Sequence, residues 1–149
     1  MIMGLLPLGL VTVGGYIIIK IINDKKTRRG LEYCALGEFL HRLSEEMREK
    51  LRSVSEVAAS YNSEQVGKDF LNRLLFGEGT EIDEETKRKV RLTVKEAERR
   101  RFPETDAIDR LSEEVKSRGQ AVLEKAEKDK KVACVLALAV FASVLLLLL

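Results

Sequence analysis

Side-chain catalysis needs acid, base and nucleophilic groups brought together with tuned proton affinities. The candidates here are one histidine, His41, and the adjacent carboxylates Glu45-Glu46, Glu84-Glu85 and Glu113-Glu114. His41 stands beside Arg42 at a polar helix position, the setting of a solvated side chain rather than a base. Neighbouring helical residues diverge by about 100°, so paired acids do not converge on one substrate. A di-metal bundle needs carboxylates with His at i+3 from more than one helix, and one His cannot supply it. These acids read instead as wet faces with partners four residues on, such as Glu46 with Lys50 and Glu124 with Lys128. No Gly-x-Ser-x-Gly, Walker A, His-Glu-x-x-His or dinucleotide fingerprint occurs. Gly77-Glu78-Gly79 is too short and too acidic to cradle a phosphate. The expectation is a protein that is not an enzyme, without catalytic residues, metal, cofactor or small-molecule substrate.

Binding chemistry has better candidates. Arg99, Arg100 and Arg101 are the densest basic cluster, and cations are favoured where a helix ends. The same cluster could face an acidic partner or anionic lipid. Gly119 interrupts an apolar stripe, a sign of close helix packing, and together with the three arginines it marks the candidate partner-binding surface. Cys34 and Cys134 lie in no metal-binding spacing and suit a reducing compartment as small apolar thiols. Palmitoylation near a membrane is the alternative for them.

These residues need elements to hold them. Leu36, Phe39, Leu40, Leu43, Met47, Leu51, Val54, Val57, Ala58 and Tyr61 recur at steps of three and four, which predicts one long amphipathic helix ending at Asn62-Ser63. Glu45, Glu46, Arg48, Glu49, Lys50 and Arg52 fall mostly on its wet side. Val66, Phe70, Leu71, Leu74 and Leu75 predict a shorter helix that ends at Gly77-Glu78-Gly79. Acids from Thr80 to Glu85 and the three arginines bracket a third helix, which Phe102-Pro103 breaks. Thr105 can cap a fourth, with Ile108, Leu111, Val115, Gly119, Val122 and Ala126 as its stripe. Nothing between Leu123 and Val132 forces that helix to stop.

Of the 149 residues, all 24 acids and 25 of the 26 Lys and Arg lie in 23–131, which is therefore charge-rich but nearly neutral. That balance gives no footprint for nucleic acid. Val132–Leu149 carries no charge, Gly or Pro, and 18 helical residues reach about 27 Å, close to the hydrocarbon thickness. Met1–Ile22 is apolar except for Lys20, which can snorkel to the interface. It lacks the basic start and small-residue cleavage site of a signal peptide, so it reads as a retained anchor. Lys20, Lys25, Lys26, Arg28 and Arg29 follow the first run, and Lys125, Lys128, Lys130 and Lys131 precede the second. Positive flanks stay in the cytoplasm, which places the middle there.

An apolar start, an adjoining long helix, a small bundle and a last helix passing through Glu124-Lys125-Ala126-Glu127-Lys128-Asp129-Lys130-Lys131 into an apolar tail resemble the bacterial stage III sporulation protein AB family. The closest part is Asp109 to Leu149. Leu5 to Ile22 and the stripe from Phe39-Leu40 to Leu51 are similar in character, although Val132–Leu149 lacks the glycines of that family's final anchor and the usual Pro-Leu entry is not evident. The resemblance implies a cytoplasmic domain like the F domain of type II secretion platform proteins, with no catalytic residues. It also implies a secretion-type ATPase and other membrane subunits of the same complex as partners.

The expected fold class is therefore all-α, a membrane protein with N- and C-terminal transmembrane helices (1–22 and 132–149) flanking a small cytoplasmic helical bundle (23–131). The expected role is a non-enzymatic platform of a secretion-like sporulation complex in the bacterial inner membrane, in the mother cell, with homo-oligomers possible. The alternative is a holin-like or lipid-binding membrane-remodelling protein.

Overall fold

The computed structural model describes residues 5–50, 52–61, 73, 80–99 and 105–148, the side chains of 5–12, 144, 145, 147 and 148 excepted. The regular elements are all α-helices: α1 Leu5–Lys50, α2 Val54–Ser60, α3 Glu84–Arg99 and α4 Asp106–Leu148. The chain is all-α, as its periodicities predict, and no strand occurs among the described residues. The apolar stripe of Val66 to Leu75 and the Phe102-Pro103 break lie outside them.

One long helix over 27–61 is expected, but the structure divides it. α1 ends at Lys50, and Ser53 opens α2 with an extended backbone. The Ser53 hydroxyl accepts from the Glu56 amide while the Glu56 carboxylate accepts from the Ser53 amide at 3.0 Å. This reciprocal capping box satisfies two amides that a continuous helix would satisfy internally. The Ser-x-x-Glu spacing was the signal, and the unbroken apolar period concealed it. The new helix direction lets Tyr61 return to α1, donating its hydroxyl to the Ala35 carbonyl at 3.1 Å. Its ring meets Phe39 edge-on, with centroids 5.6 Å apart.

By compactness the chain forms two units, one from Met1–Thr27 with Leu123–Leu149 and one from Arg28–Val122. In the Arg28–Val122 unit, Leu36, Phe39, Leu40 and Leu43 of α1 are completely buried with Val57, Val90 and Ile108. The segment of α4 within this unit runs antiparallel to α1. Gly119 lies against Cys34, Gly37 against Ser112 and Lys116, and Arg48 against Thr105 and Asp109. The two glycines bring the helices close enough for Ser112 to donate its hydroxyl to the Gly37 carbonyl at 2.7 Å. Thr105 begins α4 as expected, its carbonyl accepting from the Asp109 amide at 2.9 Å. Its hydroxyl accepts both Nε and Nη2 of Arg48.

Glu46, expected on the wet side, is buried. Arg52 reaches it at 3.0 Å, with Lys50 and Arg42 at 3.6 and 3.8 Å. A carboxylate leaves water only where cations replace its hydration, and here the chain turn at Ser53 folds Arg52 back to do so.

In the other unit the two helices meet through Lys26 and Asp129, whose Nζ and Oδ2 are 2.6 Å apart, and Ala126 is buried. The flanking apolar side chains are open. Val13, Tyr16, Ile17 to Ile19, Ile21 and Ile22 are exposed, as are Val132, Val135, Leu136, Leu138, Val140, Phe141 and Leu146, with Ile18 at 59% and Leu138 at 68%. Among the described residues no helix is long and apolar enough to cross a membrane. Both apolar runs of the sequence extend into residues whose side chains are not described, 1–12 and 144–149 apart from Leu146.

Candidate functional site

The start of α3 is tied to both long helices by a polar cluster that the carboxylate pairs did not reveal. Asp83 sits one residue before the helix, where its carboxylate accepts from the Thr86 amide at 3.3 Å and from the Thr86 hydroxyl at 2.6 Å. Tyr33 of α1 donates its hydroxyl to the same carboxylate, and Arg118 of α4 approaches it at 3.6 Å while donating to Thr86 Oγ1 at 3.0 Å. Beside it Glu32, only 2% exposed, accepts the Glu81 amide at 2.6 Å, and Arg28 lies 3.4 Å away. Every acid here has a donor or a cation. The cluster therefore fixes where α3 begins, and its hydrogen-bonding capacity is spent on the chain itself.

Burial raises the proton affinity of Asp83. The hydrogen bonds from the Thr86 hydroxyl, Tyr33 and the Thr86 amide, with the Arg118 charge, outweigh it and hold the carboxyl below its usual value. A group with a depressed folded pKa stabilises fully above the unfolded value, about 3.9, and loses that contribution as pH falls through the folded one. Acid titrations followed by circular dichroism should therefore show Asp83→Asn less stable than wild type at pH 7, the difference narrowing below about pH 4.

The candidate docking residues separate. Arg99 is exposed in the last turn of α3, while Arg100 and Arg101 lie outside the described residues. Gly119 is buried: a Cβ built there would meet the Cys34 nitrogen and Sγ at 2.8 Å and the Tyr33 Cβ at 2.9 Å. Its close contact is with this chain's own α1. The α4 stripe around it is likewise occupied, with Ile108, Leu111, Val115 and Ala126 all buried. Val122, the remaining member of the stripe in this unit, is half-buried.

The open face belongs to α3. Val90, Val94 and Ala97 turn inward, which puts Leu92, 61% exposed, at the opposite pole. Arg88, Lys95 and Arg99 follow the same face at i−4, i+3 and i+7 from it. All three are exposed and hold no ion pair among the described residues, whereas Lys89 on the flank is engaged by Glu114. Exposed Glu85 and Glu96 lie beside the three at i−7 and i+4 from Leu92, so the face is mixed in charge, with its cations on one side of the apolar side chain and its acids on the other. The spacing is present in the sequence beside the more conspicuous run of Arg99, Arg100 and Arg101.

His41 is exposed, with Nε2 3.5 Å from Glu45. Cys34 is partly buried, and burial together with Glu38 pushes its thiol up against the opposing pull of Lys116. Such a thiol is a poor nucleophile at neutral pH. Cys134 is exposed among the apolar residues of α4. Among the described residues no group of three or more His, Cys, Asp or Glu could hold a metal ion. Compared with protein-family models, curated proteins and solved structures, the chain matches none.

Proposed function

We propose that this chain is a non-enzymatic membrane platform. Residues 1–22 and 132–149 anchor it, and the Arg28–Val122 unit is presented at the cytoplasmic surface to dock other proteins. One observation carries the reading: Val13, Ile17 to Ile19, Ile21 and Ile22, and Val132, Val135, Leu136, Leu138, Val140, Phe141 and Leu146, stay open although the same chain buries Leu36, Phe39, Leu40 and Leu43 completely. Contiguous apolar surface on that scale is unfavourable in water and marks a site covered by lipid or protein. The basic flanks at Lys20 to Arg29 and Lys125 to Lys131 favour the cytoplasmic side for the charged unit.

The resemblance to the stage III sporulation protein AB family makes the proposal more specific: an inner-membrane component of a secretion-like sporulation complex that docks a secretion-type ATPase and other membrane subunits. The α3 face of Arg88, Leu92, Lys95 and Arg99 is the surface offered to that ATPase. The test is co-purification of the ATPase with the tagged full chain from detergent-solubilised host membranes. Arg88→Glu/Arg99→Glu should retain its melting profile and lose at least about tenfold in recovered ATPase, since two buried interfacial charges each contribute more than 1 kcal/mol. Equal recovery by the variant removes α3 as the docking surface. A sealed-vesicle assay separates the holin-like alternative, because a platform leaves entrapped dye inside and a pore former releases it.

A further inference from the structure

Charge is divided unevenly between the two units. Met1–Thr27 with Leu123–Leu149 carries seven lysines against four acids, a net of +3, whereas Arg28–Val122 carries nineteen basic against twenty acidic residues, a net of −1. The basic excess of the whole protein therefore lies in the unit that bears the open apolar side chains. Two of its acids are already engaged, Asp129 by Lys26 at 2.6 Å and Glu127 by Lys131 at 2.9 Å. Lys20, Lys125, Lys128 and Lys130 are exposed and form no ion pair among the described residues.

The Lys26–Asp129 contact orients the helix pair. At about 100° per residue, Asn23 and Gly30 mark the inner line of α1 and Ala126 and Ala133 that of α4, with Lys26 and Asp129 displaced to one side of both. Lys20 and Lys130 are displaced to the other side, with Asp24 and the Lys131-paired Glu127 further round it toward solvent. Taking residue 26 as level with 129, their Cα positions differ by about 8 Å along the axis, at 1.5 Å per residue. Two lysine side chains span that separation, so their ammonium groups can converge on one anion. Toward the chain ends from this pair and on the same side, Val13 and Phe141 are open and apolar.

We propose that Lys20 and Lys130 form a cleft for the phosphate of an anionic phospholipid, with its acyl chains against the neighbouring apolar side chains. The assignment rests on the membrane reading above. Two cations beside apolar surface fit this ligand, since each basic residue near a membrane surface strengthens attraction to anionic lipid by about fivefold. A zwitterionic headgroup gains little from the pair.

The full chain is reconstituted into phosphatidylcholine vesicles with trace spin-labelled phosphatidylglycerol or spin-labelled phosphatidylcholine, and the motionally restricted fraction of each label is read by electron spin resonance. Phosphatidylglycerol should be restricted about twenty-five-fold more strongly, about fivefold for each of the two lysines. Lys20→Gln/Lys130→Gln should bring the ratio close to one, whereas Lys125→Gln/Lys128→Gln, which removes the same charge elsewhere, should leave it near the wild-type value. A wild-type ratio of one, or an equal fall in both variants, overturns the cleft. Absence of a restricted component for either label overturns the membrane reading itself.

Discussion

Gly119→Leu should unfold the Arg28–Val122 unit or cost it more than about 3 kcal/mol, at the upper end of what overpacking does in a tight interior. Even a bare Cβ at this position would stand 2.8 Å from the Cys34 backbone nitrogen and 2.9 Å from the Tyr33 Cβ. The obstacle is backbone and the root of a side chain, which no rotamer change removes. α1 and α4 would have to separate. That separation would also stretch the Ser112 bond to Gly37, which joins the same two helices, and shift Tyr33, whose hydroxyl holds Asp83 before α3. Gly119→Ala is a milder test, since about 1 kcal/mol of gained helix propensity partly offsets the clash. Gly15→Ala is the internal control, with nothing within 4 Å of its added Cβ. Thermal melts in detergent should place the leucine variant at least about 10 °C below wild type, by the usual scaling for a domain of this size. Melting within a degree or two of wild type would show that the close approach at Gly119 contributes nothing.

The all-α class and the core were legible because helix packing is written in apolar period. Leu36, Phe39, Leu40, Leu43, Val57, Ile108, Leu111 and Val115 were all named by spacing alone, and all are buried. Gly119 was legible as a packing position for the same reason. Features that depend on a chain turn or on a distant partner were not. The division at Ser53 follows from a capping box whose worth, about 1 kcal/mol, is small beside the periodic signal around it. Glu46 becomes buried only because that turn returns Arg52. Glu32 and Asp83 look like ordinary surface acids until Tyr33, Arg118 and the Glu81 amide are brought to them from other parts of the chain. The α3 face is less legible because Arg88, Lys95 and Arg99 are separated along the chain and share a face only in the folded helix, whereas Arg99, Arg100 and Arg101 are adjacent in sequence.

Anchoring should have the largest functional effect. On the scale of insertion energies each Leu, Ile, Val or Phe near the bilayer centre contributes about −0.3 to −0.6 kcal/mol. The open residues of α4 include Val135, Leu136, Leu138, Val140, Phe141 and Leu146, and those of α1 include Ile17, Ile18, Ile19, Ile21 and Ile22. Summed over the named residues these terms come to about −1.5 to −3.6 kcal/mol for either set, and in the proposed anchor Lys20 at the end of the first set can reach the interface. Nothing comparable is open in the Arg28–Val122 unit, where Leu92 is the one large apolar side chain exposed among the described residues.

Chemical labelling tests membrane anchoring and sidedness together. Ser117 is exposed on α4 within the Arg28–Val122 unit. In a full-length chain with Cys34→Ser and Cys134→Ser, the Ser117→Cys thiol is offered to a membrane-impermeant maleimide in intact cells and in inverted membrane vesicles. The account predicts that the chain sediments with membranes and is labelled in inverted vesicles but not in intact cells. Recovery in the soluble fraction, or labelling in intact cells, would contradict it.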